Sequence, residues 1–297
     1  MTILFLLLVS ACVATRISQH RHHSNEGKIE RPLVATGQRN FTDGTEPHLK
    51  AIFMGRCFAV TDDPQNEDAL VAFNGTIDCA RLWQLFSRSF AFKVDANVTP
   101  EDFAPYFNDT QVKASLAATG RRALFWSGVQ EFVSQVQESC HLFVMETSPL
   151  VAILDGLMFC ASPTDPLGMN MTECEYGDVQ NGQWKGTWVS FWAAASAAYA
   201  PTVTGNITLL FSGNKARPAY RRTSFFGSIE LPLLNTNQIT GATIYVASQR
   251  PDLPIYEPCG QGSMALLMQD LLKIGMDNST INCINDPRVG ERAPEAV

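Results

Sequence analysis

The sequence predicts an α/β protein in two parts: a helical N-terminal half, then a half in which strands alternate with helices. Three observations lead there. Apolar residues recur at helical spacing from His48 to about Phe107, and an alanine-rich run, Thr187 to Ala200, stops at Pro201. Beyond that proline the texture turns to short β-branched and aromatic runs. Strands separated by helical stretches favour a small parallel sheet, because parallel neighbours need crossover connections.

In chain order, Met1 to Ala14 is an apolar run ending in small residues, which reads as a signal peptide over 1–15. It is too short to span a bilayer, and no second long apolar stretch follows, so no membrane anchor is expected. Residues 16–46 are polar and read as a disordered leader. Its His20, His22 and His23 have no cysteine or acidic partner at ligand spacing, so no metal site is assigned. Leu49, Ile52, Phe53 and Phe58 mark a first helix, and Ile77 to Phe92 an amphipathic one with Trp83 on its core stripe. Thr99 reads as an N-cap with Pro100 at the first helical position.

Arg122 to Phe125 reads as a strand ending at Trp126, after which Ser127 and Gly128 open a helix to about His141. A strand feeding a helix N-terminus offers unpaired amides to a phosphate. Pro149 to Phe159 is expected to be a short helix, and Ser263 to Ile274 a longer one. Runs at 207–211, 227–231, 242–247 and 280–284 read as strands, and 291–297 is a polar tail.

A formal charge of −7 leaves no basic stripe for phosphate backbones, which excludes nucleic acid as a partner. Of the 8 cysteines, Cys12 falls in the signal segment. The rest form sequential pairs closing short loops, Cys57–Cys79, Cys160–Cys174 and Cys259–Cys283, leaving Cys140 as a free buried thiol. Glycosylation sequons stand at Asn40, Asn74, Asn97, Asn108, Asn170, Asn206 and Asn278, in keeping with a secreted protein or one stored in a secretory granule lumen.

Leu124-Phe-Trp-Ser-Gly128, Ser190-Phe-Trp192 and Ser224-Phe-Phe-Gly-Ser-Ile-Glu-Leu-Pro232 carry the chemistry, since indoles can stack on a flat cationic ring and a carboxylate can face a developing cation. With Phe53-Met-Gly-Arg-Cys57, Pro218-Ala-Tyr-Arg221 and Glu257-Pro-Cys-Gly-Gln-Gly-Ser263, the chain resembles the ADP-ribosyl cyclase/cyclic ADP-ribose hydrolase family over about residues 49–286. The resemblance implies a helical domain over 47–120 with 145–180, and an α/β domain over 121–144 with 181–290. It also implies a four-stranded parallel sheet flanked by helices, and an active site in the cleft between the domains.

The resemblance further implies cleavage of the nicotinamide–ribose bond of NAD, which is substrate and not cofactor; no other cofactor is expected. Glu230 is then the carboxylate under the ribosyl cation, Trp126 and Trp192 the aromatic walls, and Glu146 the second acidic residue. Ser196, Ser127, Gly128 and Trp188 are expected to bind substrate. Phe225 is expected to favour cyclisation, because efficient cyclases of the family carry Phe before Phe-Gly where hydrolytic members carry a smaller residue. The main reading is a cyclase giving cyclic ADP-ribose, with NADP as a further substrate by base exchange. A glycohydrolase and an inactive binding glycoprotein are the alternatives, and the resemblance allows a homodimer.

Overall fold

The computed structural model describes residues 48–62, 77–129, 133, 136–137, 140–164, 179–180, 183–184, 186–214, 218–248 and 253–285. The signal, leader and tail segments, with Asn40, Asn74, Asn170 and Cys174, lie outside them. The chain divides into two units. Among the described residues, one comprises 48–121 together with Met145–Thr202, the other Arg122–Val144 together with 203–285.

The first unit is helical. Its main helices are α1 (Leu49–Asp62), α2 (Cys79–Arg88), α3 (Thr110–Thr119) and α4 (Thr187–Tyr199). Asp78 caps α2, its carboxylate accepting from the Arg81 amide at 2.9 Å. Thr99 and Asp102 form a capping box ahead of the 3₁₀ turn Pro100–Phe103. The core is aromatic: Phe86 meets Phe90, Phe159 and Phe191 at ring distances of 5.2, 5.1 and 5.8 Å. Trp83 belongs to this core, edge-on to Phe53 at 5.4 Å. The Cys57–Cys79 disulfide ties α1 to α2, which by loop entropy contributes about 3 kcal/mol.

Phe191 is how α4 is held. Its ring also meets Phe103 at 5.4 Å and Phe107 at 5.2 Å. That aromatic anchorage places α4 in the helical unit, whereas the domain expected over 181–290 grouped Thr187–Tyr199 with the sheet. The helix from Pro149 is also shorter than expected, covering Pro149–Ala152 before the chain turns at Gly156, whose φ of 71° few other residues adopt.

The second unit is built on four parallel strands in the order β1 (Leu124–Ser127), β2 (Gly205–Ser212), β3 (Ile239–Ala247) and β4 (Ile281–Asn285). β2 and β3 are central and buried over most of their length, which is why they read as continuous apolar runs. Helix α5 (Gly262–Lys273) crosses from β3 to β4. One face of the sheet, with Leu124, Leu210 and Tyr245, shares a core with Val129, Val133, Val136 and Cys140.

Two expectations need correction in this unit. Residues 227–231 are not a strand: Phe226–Glu230 forms a π turn that continues as an α turn over Leu231–Leu233. Its buried residues, Phe226, Glu230 and Leu231, follow helical spacing, and Pro232 would remove a ladder hydrogen bond from a central strand. Cys140 is not a free thiol but disulfide-bonded, as is Cys160, and no cysteine among the described residues is free. The Asn206 sequon lies inside β2, where Thr208 is 1% exposed and the Asn206 amide donates to Thr243 at 3.3 Å. Asn97, Asn108 and Asn278 are exposed.

Candidate active site

The residues singled out in the sequence fall into two groups, one in each unit. In the sheet unit, Trp126 and Ser127 close β1 at its carboxyl end, paired with Leu210 and Phe211 of β2. Gly128 follows with φ of 72°, a left-handed conformation that lets the backbone turn sharply off the strand. Carboxyl ends of parallel strands are where ligands of open α/β sheets bind.

The Glu230 segment packs against the same strand. Phe125 meets Phe226 at 5.2 Å, and Phe211 meets Phe226 at 5.9 Å. Phe125 and Phe226 are the chain neighbours of Trp126 and Phe225, so their contact brings 126–128 and 225–230 into one neighbourhood. The helical turn also decides which phenylalanine is structural: Phe226 is 3% exposed, whereas Phe225 is half-buried at the start of the turn. Glu230 is 8% exposed. A carboxylate so enclosed is a strong electrostatic element, because little water screens it.

In the helical unit, Trp188, Trp192 and Ser196 recur every fourth residue of α4 and share one face. The two indoles stand edge-on at 6.1 Å. Trp188 uses its ring N–H structurally, donating to the Leu157 carbonyl at 3.1 Å. Trp192 differs. It is 4% exposed, and its indole N–H has no hydrogen-bond acceptor among the described residues. An unsatisfied buried donor costs about 1–3 kcal/mol, so such an N–H marks a place for an acceptor. The Ser196 hydroxyl donates to the Met145 sulfur at 3.7 Å, and Met145 opens the 3₁₀ turn Met145–Thr147 that carries half-buried Glu146. Ser196 and the Glu146 turn are therefore joined.

The start of α4 is organised by a residue that sequence reasoning missed. Gly186 precedes the helix with no side chain to cap it. The Asp95 carboxylate does so instead, accepting from the Thr187 amide at 3.1 Å, the Thr187 hydroxyl at 2.6 Å and the Ala161 amide at 3.0 Å. A negative charge at this end also favours the helix dipole. The partners are 92 residues apart, so no local pattern could reveal them.

Among the described residues no group of His, Cys, Asp and Glu could hold a metal ion, and no helix is long and apolar enough to cross a membrane.

A unit built on a four-stranded parallel sheet, in one chain with a helical unit, defines an α/β protein. The sequence model of the family described as ADP-ribosyl cyclase matches residues 46–292, and the chain belongs to that family. It is 29% identical over 249 residues to the ADP-ribosyl cyclase/cyclic ADP-ribose hydrolase of Aplysia kurodai, covering 82% of this chain and 81% of that protein. It is also 29% identical to ADP-ribosyl cyclase/cyclic ADP-ribose hydrolase 2 of Rattus norvegicus, over 85% of this chain and 73% of the relative. Among solved structures, Aplysia cyclase complexed with substrate NGD and product cGDPR superposes with a TM-score of 0.69 at 27% identity, covering 84% of this chain and 94% of the other.

Proposed function

We propose that this protein is an ADP-ribosyl cyclase, converting NAD to cyclic ADP-ribose and nicotinamide. The observation that carries the reading is the enclosed carboxylate of Glu230 on a turn packed against β1. Nicotinamide departs from its pyridinium as a neutral base, so the leaving group needs no proton. The developing cation at the ribose anomeric carbon does need a counter-charge, and a preorganised carboxylate supplies it without reorganising solvent.

The other residues have separable tasks. Trp126 and Trp192 each offer an indole to the flat nicotinamide ring, and the free Trp192 N–H adds a hydrogen bond to an acceptor on the substrate. Gly128 and Ser127 present backbone and hydroxyl donors to the pyrophosphate. Glu146 and Ser196 act on the nicotinamide amide and the ribose, respectively. Capture of the ribosyl cation by adenine closes the ring, whereas capture by water gives ADP-ribose, the glycohydrolase outcome of the same site.

The protein works in an oxidising secretory compartment, a reading supported by the Cys57–Cys79 and Cys259–Cys283 bridges. NADP carries the same scissile bond and is the second substrate to assay; sedimentation reads whether the chain forms a homodimer.

The test is product analysis from NAD with wild type and Glu230→Gln. Wild type should yield cyclic ADP-ribose, and the variant should lose about 10²–10³ in turnover while retaining fold. Wild-type turnover by folded Glu230→Gln would refute the mechanism.

A further inference from the structure

Two of the family-like motifs, Pro218–Arg221 and Glu257–Ser263, have no part in the chemistry above, yet they are bonded to each other. The Ala219 amide donates to Glu257 Oε2 at 2.7 Å, and the Tyr220 amide to the Ser263 hydroxyl at 2.9 Å. Ser263 in turn donates to Glu257, from its hydroxyl at 2.5 Å and its amide at 3.0 Å. Two turns along α5, Asp270 takes the Tyr220 hydroxyl at 2.8 Å and the Arg222 guanidinium through two bonds, at 2.8 and 2.7 Å. Residues 219–222 are thus clamped to one face of α5 by two carboxylates. The Glu257 end is fixed further by the Cys259–Cys283 bridge to β4 and by the Cys259 amide, which donates to Asn285 at 2.8 Å.

The clamped loop bears directly on the turn that follows it. A Cβ on Gly227 would meet the Arg221 carbonyl oxygen and lie 2.8 Å from Arg222 Cα, so backbone rests on backbone there. Tyr220 and Phe226 pack edge-on at 6.3 Å. Loop and turn therefore move together, and Glu230 is three residues beyond Gly227.

We propose that Asp270 is a positioning residue for Glu230, acting through Arg222 and Tyr220, with the Glu257–Ser263 pair as the second anchor of the same loop. The proposal rests on Glu230 being the reacting carboxylate. Its chemistry is ordinary: a bidentate guanidinium–carboxylate pair fixes direction as well as distance, and a displacement of about 1 Å at a reacting group can cost about 10²-fold in rate.

The test joins amide hydrogen exchange with steady-state kinetics on Asp270→Asn, Arg222→Gln and Arg222→Lys. The Arg222 side chain is 57% exposed, so its variants fold even where Asp270→Asn does not. Exchange over 225–231 should rise about tenfold in Arg222→Gln while the strands at 205–212 and 239–247 stay protected. The kcat for NAD should fall between about tenfold and about hundredfold with KM within about twofold, and Arg222→Lys should recover part of the loss. Unchanged exchange over 225–231 in every variant overturns the clamp, and raised exchange with wild-type kcat overturns its link to Glu230. A wild-type protein that leaves NAD intact refutes the proposed function instead, and the exchange data still decide the clamp.

Discussion

The carboxylate of Asp95 accepts three hydrogen bonds, two of them from Thr187 at the first position of the helix that carries Trp188, Trp192 and Ser196. The sheet unit repeats the arrangement with Asp270 and Glu257 on the loop before Glu230. In both, an acidic side chain remote in sequence fixes the backbone that leads into the proposed site residues.

Replacing Asp95 with Ala should lower stability by about 0.5–2 kcal/mol, the usual loss for a helix cap. Asp95→Asn should retain part of it, because an amide oxygen still accepts. Denaturant unfolding of the three proteins measures the difference, and equal midpoints would show that α4 does not depend on this cap.

Acid should weaken the sheet unit through Asp270. Hydrogen bonds from Arg222 hold the Asp270 carboxyl below its ordinary pKa, against its partial burial. Burial pushes Glu257 up, but its bonds from the Ser263 hydroxyl and the Ala219 and Ser263 amides outweigh that and leave it lowered. A carboxyl depressed by folding stabilises the native state above its unfolded pKa and loses that contribution as pH falls through the folded value. Unfolding free energy should therefore drop on acidification below about pH 4. Asp270→Asn should be less stable at neutral pH and show a shallower acid slope, read by urea titration across the acid range.

Much of this was legible in the sequence, and the failures share a cause. The two central strands stood out because parallel strands buried on both faces leave long apolar runs. The Glu230 turn misled because Gly227-Ser-Ile-Glu-Leu231 alternates like a strand, while Gly227 on the Arg221–Arg222 backbone and Phe226 against Phe125 decide its shape. No local pattern places α4 in the helical unit, because its anchor, Phe191 among Phe86, Phe103 and Phe159, is a set of contacts between distant segments. Trp188 and Trp192 look equivalent as letters; only the structure shows one indole N–H used and the other free.

Parity leaves Cys140 unpaired once Cys12 is counted with the signal segment, yet in the structure Cys140 is bonded. Alkylation of the native protein should therefore spare Cys140 until a reductant is added. Non-reducing peptide mapping identifies its partner, and a Cys140 labelled quantitatively without reductant would show that the bond does not form.

Phe225 should decide how much of the ribosyl cation is captured by adenine. The helical turn buries Phe226 among Phe125, Phe211 and Tyr220, while Phe225, at the start of the turn, is half-buried. An aromatic face near Glu230 can stack on a purine, and its volume displaces water that would otherwise attack the cation. Both effects raise cyclisation over hydrolysis while leaving formation of the cation alone. Phe225→Thr should accordingly shift product from cyclic ADP-ribose toward ADP-ribose, with the rate of nicotinamide release changed by less than about tenfold. Stacking alone is worth about 0.5–1.5 kcal/mol, which sets the expected change in the product ratio at roughly two- to twelvefold. Chromatographic separation of the two products from NAD measures it. A ratio unmoved by the substitution would assign the partition to other residues, and a wild type that already gives mostly ADP-ribose would remove Phe225 as the cause of cyclisation.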